Sequence, residues 1–358
     1  MRVTKQTVVL IFGGIALFNL VFGVAALFLR RGDAVDSRLG HEALALARLG
    51  DAHALFYTPA SHGDLAAARP DLTAPEAERG FAQGVQMPSV FRALDHERHF
   101  DAVLLYGDPT TYEPLLRHLG ETRDFVLTWL DNATLIFRRA GARPWTEGDL
   151  DATAGLFKGE NRARLLAGAA TRLIAMEQFP MARRALDAAA ADGGRAPEYW
   201  TALALYDGQV AHWPEALDAV NRALALDATF TPALTTKANI LYGAERYDEA
   251  LAITDEVVAR YPDDPSMLFL HATISHQAHA YDREIAALTH LIQLGEAQGI
   301  STTGYRIYLG QALAETGQAM ASLAQFQQAL GEPDISPEQR KFAQDCVDKI
   351  HAKTDPGK

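Results

Sequence analysis

The side chains able to do chemistry are scattered along the chain rather than gathered. Asp95-His96-Glu97-Arg98-His99 sets two imidazoles at i and i+3, a spacing that lets one helix face offer two nitrogen ligands to a metal. No third ligand follows at a useful distance, and the segment sits among charges at an expected helix end, so it reads as a solvated terminus. His271, His276, His279 and His290 recur without converging on one face. Tyr106 and Asp108 flank Gly107 at the end of an apolar run, where open α/β sheets place ligands. The simpler reading makes Asp108 or Thr110 the N-cap of the next helix. The chain has no glycine-rich phosphate loop and no G-x-S-x-G turn. Cys346 is the only cysteine, which excludes an intrachain disulfide and a thiolate metal cluster. Without a nucleophile, a base or a metal set the chain is read as a non-enzyme, with no cofactor and no metal.

What positions these residues is a chain of 358 residues, enough for two or three folded parts, with nearly half its residues apolar. A net charge of −12 argues against a nucleic-acid surface, which needs Lys and Arg to neutralise phosphates.

Residues 7–29 carry no charge and are flanked by Arg2 and Lys5 before and Arg30-Arg31 after. A helix of that length rises about 34 Å, enough to cross a hydrocarbon core of about 30 Å. The run is longer than a signal-peptide core and continues past a small-residue site at Val24-Ala25-Ala26, so residues 1–31 read as a retained signal anchor in the lipid bilayer. Counting Lys and Arg alone favours neither flank, while net flank charge favours an N-terminus in the cytoplasm and a bulk exported to the periplasmic side of a bacterial inner membrane, in a single pass. Ala16, Asn19, Gly23 and Ala26 share one face of that helix, a stripe that would let two spans pair as a homodimer.

Residues 36–140 change to short apolar runs between helical stretches. Residues 53–57, 101–106, 125–130 and 133–137 read as strands, the last two joined at Asp131-Asn132; 88–97 and 110–119 read as helices. The order β-α-β-α-β-β predicts a small α/β domain with a mainly parallel sheet and one antiparallel edge. The wording from Phe100-Asp-Ala-Val-Leu-Leu105 through Asp124-Phe-Val-Leu-Thr-Trp-Leu130 to Phe137-Arg138 resembles a soluble domain that follows the membrane part of some polyprenyl-phosphate-sugar glycosyltransferases. That likeness covers about 40 residues, includes no catalytic signature, and so implies no transferase activity. Thr146 and Asp149 form a capping box for a linking helix within 141–160.

From residue 161 to 336 the chain repeats. The phrases ending at Ala182, Ala216, Ala250 and Glu284 recur every 34 residues. With that residue as position 20, Trp200 takes position 4, Leu203 position 7, and Ala204, Ala238 and Ala272 position 8. Leu186, Val220 and Leu288 take position 24, and a fifth unit returns after a four-residue insertion at Leu309, Gly310, Gly317, Ser322 and Phe326. This pattern resembles the tetratricopeptide repeat (TPR) family, as found in bacterial single-pass membrane-anchored TPR proteins. The resemblance implies a mainly α chain: an N-terminal transmembrane helix, the small α/β domain, and a C-terminal α-solenoid of five helix pairs. Residues 337–358 form a capping helix, apolar at Phe342, Cys346, Val347 and Ile350, and a tail.

In that family positions 2, 5, 9, 12 and 13 of each first helix line a concave groove that binds protein or peptide. The matching residues here are Glu198, Thr201 and Gln209; Thr235, Asn239 and Tyr242; Phe269, Thr273, His276 and Gln277; and Ile307 and Gln311. A cationic clamp for a C-terminal carboxylate is not expected, since Asn239 has Thr235, Ser266 and Leu270 where basic partners would be needed. The expected function is a membrane-anchored scaffold or adaptor. The alternative is an envelope enzyme or sugar-ligand sensor with its site in the α/β domain and the repeats as a docking arm.

Overall fold

The computed structural model describes residues 49–354 apart from 59–60, 62–64, 67–68, 74–77, 108, 193–194, 300 and 333–334. The uncharged run 7–29 and its stripe of Ala16, Asn19, Gly23 and Ala26 lie outside the described residues, as does Asp108. Among the described residues no helix is long and apolar enough to cross a membrane.

Four strands, β1 (Leu55–Tyr57), β2 (Ala102–Tyr106), β3 (Phe125–Leu130) and β4 (Thr134–Arg139), form one sheet in the order β1-β2-β4-β3. Helices α1 (Glu78–Gln86) and α2 (Pro88–Arg98) join β1 to β2, and a 3-10 turn (Pro109–Tyr112) with α3 (Glu113–Glu121) joins β2 to β3. The expected mainly parallel sheet is corrected: β1 and β2 pair parallel, while β2–β4 and β4–β3 are antiparallel. The cause is burial. Thr134, Leu135, Ile136 and Phe137 of β4 are all covered, whereas Val126, Leu127 and Thr128 of β3 are half-exposed. A strand apolar on both faces takes the interior of a sheet and a one-sided strand takes the edge, so β4 inserts between β2 and its own hairpin partner. The helix expected at Thr110 starts instead at Glu113, with Tyr112 at its N-cap and no side-chain capping bond.

Helix α1, which the sequence pattern did not announce, brings Phe81 into an aromatic cluster. Phe56 lies 4.8 Å from Phe81, 5.0 Å from Phe91 and 5.6 Å from Phe100 between ring centroids. Edge-on and tilted contacts of this kind add to the area they bury. Gly84 permits the approach of α1, since a Cβ there would meet the Phe56 ring at 2.9 Å.

Helix α4 (Glu147–Ala154) follows, its first turn closed by Thr146 N and Oγ1 donating to Asp149 Oδ2 at 2.8 and 2.7 Å. Five helix pairs then stack. They are α5 (Gly159–Ala175) with α6 (Phe179–Ala191), α7 (Pro197–Gln209) with α8 (Trp213–Leu226), and α9 (Thr231–Gly243) with α10 (Tyr247–Arg260). The series continues with α11 (Pro265–Gln277) and α12 (Tyr281–Gln298), then α13 (Thr303–Glu315) and α14 (Ala319–Gly331), and α15 (Pro337–Thr354) covers the end. The backbone repeats as the residues do. Glu177, Ala211, Glu245, His279 and Gly317, each at position 15 between paired helices, are left-handed with φ of 58, 58, 60, 56 and 76°.

Ala182, Ala216 and Ala250 at position 20 are wholly buried where the helices of a pair touch. Ser322 fills the same place in the fifth pair and donates its hydroxyl to Gly310 O at 2.6 Å. Replacing Ala216 or Ala250 with leucine is expected to lower stability by about 1–3 kcal/mol, the usual cost of overpacking. Equilibrium urea unfolding checks this, and an unchanged midpoint for both variants would contradict the register.

The sheet does not stand apart from the repeats. One hydrophobic core runs from Leu49 through the strands into α5, α6 and α7, as far as Ala202. Helix α5 is consequently buried nearly all round, with Leu165, Leu166, Ala169, Ala170 and Leu173 all covered. The α/β part occupies the place a preceding repeat would take, so the solenoid is capped at both ends.

Candidate functional site

The first helices of pairs two to five carry the stripe expected to face the groove. In α7, Gln209 is exposed and Glu198 half-exposed, 3.7 Å from Arg164. Thr201 is corrected: it is buried, and its hydroxyl donates to Pro197 O at 2.7 Å. In α9, Asn239 is exposed, while Thr235 spends its hydroxyl on Thr231 O at 3.0 Å. The Tyr242 ring is half-buried against Tyr247, 5.7 Å between centroids, so truncating it would also loosen the α9–α10 pair. In α11, Phe269 and Gln277 are exposed and Thr273 donates to Phe269 O at 2.9 Å. Gln311 on α13 is half-exposed, whereas Ile307 is buried in the core beneath α15 and leaves the groove set. Such threonine back-bonds explain why a polar residue is tolerated mid-helix.

Two residues that the position-by-position transfer missed complete the site. Tyr305 and Tyr308 of α13 lie 5.8 and 6.0 Å from the Phe269 ring, making an aromatic trio across two neighbouring first helices. Phe269 and Tyr308 are 38% and 48% exposed, unlike the aromatic residues of the sheet core. Burial pushes the Tyr305 hydroxyl upward in pKa, so it stays a neutral donor. The signal was present as two tyrosines three residues apart in the fifth unit, at positions 3 and 6, beside the family's groove positions 2 and 5 rather than on them.

His276 does not serve as a free groove imidazole. Its Nδ1 lies 3.1 and 3.2 Å from the carboxylate oxygens of Glu284, which takes position 20 of the fourth pair and is almost wholly buried. Burial pushes the Glu284 carboxyl up, the bond from His276 opposing the shift and Glu315 of α13 adding to it. Burial likewise pushes the His271 imidazole down, with Asp255 of α10 opposing and Arg283 of α12 reinforcing it. The signs follow from linkage. A carboxyl raised in the fold keeps its proton longer than in the unfolded chain, so stability falls as pH rises from 4.5 through the folded value. A lowered histidine makes stability fall as pH drops below 6.5. Glu284→Gln is therefore expected to raise Tm at pH 7.5 and leave it unchanged at pH 4, as measured by calorimetry.

The carboxyl end of β2, where a ligand of the α/β part was considered, is filled by the solenoid. Arg172 of α5, itself buried, donates from Nη2 to Gly107 O at 2.7 Å, and Tyr112 Oη donates to the same carbonyl at 3.3 Å. An open hollow of about 410 Å³ lies at the opposite end of the sheet, lined by Asp101, Thr128, Arg138, Arg139 and Arg143. Its guanidinium groups are already paired: Arg138 with Asp51 at 2.8 Å, Arg139 with Asp95 at 2.5 Å and Arg143 with Asp149 at 2.9 Å. The His96 and His99 rings stand 6.5 Å apart, and no group of three metal-ligating side chains occurs among the described residues.

Residues 212–274 match a sequence family described as tetratricopeptide repeat. No curated protein matches the chain. Similar solved structures include residues 41 to the end of MamA from Desulfovibrio magneticus RS-1, 18% identical, over 47% of this chain and 93% of that one, with a TM-score of 0.41. A thermophilic TPR protein of Thermus thermophilus is 15% identical over 51% of this chain and 97% of its own, with a TM-score of 0.39. The pilF protein of Pseudomonas aeruginosa is 13% identical over 58% and 95%, with a TM-score of 0.43. The repeat match and the stacked helix pairs together make the helical part of this chain a TPR-like solenoid.

Proposed function

We propose that the chain is a membrane-held scaffold that captures a segment of a partner protein in the groove of pairs two to five. The observation that carries this reading is the aromatic trio of Phe269, Tyr305 and Tyr308, with Phe269 and Tyr308 exposed and Tyr305 half-buried, and the amides of Asn239 and Gln277 along the same stripe. Exposed aromatic side chains backed by a rigid helix pair have the character of binding anchors, which commonly contribute about 2 kcal/mol or more each. Amide side chains beside them offer donors and acceptors to a peptide backbone without a charge that must be desolvated. The uncharged run 7–29 supports a bilayer as the place of capture, and the net charge of its flanks favours the exported side for the groove.

The test is a crosslinked pulldown from carbonate-washed membranes, comparing wild type, Phe269→Ala/Tyr308→Ala and the control Gln293→Ala on the exposed side of α12. The double variant is expected to bind the recovered partners at least about 30-fold more weakly. Equal recovery by all three, or absence of the chain from the washed membrane, would overturn the reading.

A further inference from the structure

A second site lies away from the groove, in a hollow of about 620 Å³ between α6, α7 and α8. Its walls include Trp200, Leu203 and Asp207 of α7, Arg183 of α6, and Glu215 and Arg222 of α8. Trp200, Leu203 and Asp207 are spaced by three and four residues, so they share a face about half a turn round from Glu198, Thr201 and Gln209. The two sites can be filled independently.

Asp207 is the unusual member. The residue is 9% exposed, it lines the hollow, and among the described residues its carboxylate accepts no hydrogen bond and joins no ion pair. The nearby cations are committed elsewhere: Arg183 Nε to Asp187 at 3.0 Å, and Arg222 Nη2 to Asp218 at 2.8 Å with its guanidinium 4.8 Å from the centroid of the Trp200 ring. Those pairs leave Asp207 and Glu215 without a direct ion pair, with the His212 imidazole also on the wall of the hollow. An ionised carboxylate that keeps only part of its hydration and has no donor is unfavourable, and burial pushes the Asp207 carboxyl up, with Arg183 and His212 opposing the shift only in part. A ligand that supplies the missing donor removes that cost.

We propose that this hollow binds a single alkyl-borne cation, a guanidinium or ammonium, whose charged end pairs with Asp207 and whose methylenes lie against Leu203 and Trp200. Glu215 adds long-range attraction at the rim. An anion is disfavoured because the two guanidinium groups already carry their own carboxylates.

The experiment titrates the full chain with n-butylguanidine and n-butylamine, and with n-butylurea as a neutral isostere. The readout is the indole Nε1–H resonance of Trp200, assigned among the four tryptophans by Trp200→Phe. Both cations are expected to give a saturable shift, at least about tenfold weaker in affinity in Asp207→Asn and about twofold weaker in Glu215→Gln. n-Butylurea gives none, and affinity declines on acidification as Asp207 takes up a proton. The peptide Ac-Ala-Arg-Ala-amide separates the sources. Binding at least about tenfold tighter than n-butylguanidine supports a partner protein's side chain, and equal binding supports a free cation. A non-saturable response, equal response to n-butylurea, or pH-independent binding overturns the proposal. So does undiminished affinity in Asp207→Asn; should that variant not fold, the pH profile of the wild type decides.

Discussion

Asp131→Ala is expected to lower stability by about 4 kcal/mol. Asp131 is wholly buried in the β3–β4 turn. Its Oδ2 accepts from Trp129 Nε1 at 2.8 Å, and its Oδ1 accepts from the backbone N–H groups of Ala133 and Thr134 at 2.8 and 2.7 Å. Alanine leaves three donors without an acceptor, each costing roughly 1–3 kcal/mol when buried and not fully additive. Asparagine cannot rescue the site, because its NH2 must face a donor in either orientation. Urea unfolding followed by tryptophan fluorescence should show the midpoint fall with little change in slope for Asp131→Ala and about half that loss for Asp131→Asn. A loss below about 1 kcal/mol for the alanine variant would show that water replaces the carboxylate.

Gly168→Ala is expected to cost about 2 kcal/mol and Gly168→Val more, although alanine ordinarily stabilises a helix interior by up to about 1 kcal/mol over glycine. The sign is reversed by a contact. A Cβ on residue 168 of α5 would lie 2.5 Å from Asn132 Cβ, 2.7 Å from Asn132 Cα and 2.8 Å from Asn132 O. Two of those three atoms are backbone, held by the Asp131 network, and cannot swing aside. The hairpin must therefore shift from α5, which loads the link through Gly107, whose N–H donates to Ala133 O at 3.0 Å and whose carbonyl accepts from Arg172. Limited proteolysis should then cut between residues 141 and 158, and thermal unfolding should separate into two transitions. A Gly168→Ala variant more stable than wild type would show that the turn yields freely.

Much of this protein was legible in the chain itself. The 34-residue interval placed the helix pairs because each depends on an apolar stripe and a small contact residue, both local patterns. The capping box at Thr146 and Asp149 and the strand at β2 were legible for the same reason. The groove was legible only in outline. Family positions pointed to Phe269 and Asn239, but they also included Thr201 and Ile307, which are buried, and passed over Tyr305 and Tyr308.

What the sequence determined alone is therefore periodic: helices, their pairing and the spacing of their turns. Tertiary structure decided what has no period. Glu177, Ala211, Glu245 and His279 adopt left-handed turns that their residue types do not announce, because the stacked helices on either side dictate the path between them. Strand order turned on which of two apolar strands could be covered on both faces, and β4 won over β3. The placement of the sheet on α5 turned on one glycine, one buried arginine and one aspartate, far apart in the chain. Contacts between distant surfaces depend on shape and on which polar groups must find partners, and neither leaves a repeating mark in the order of residues.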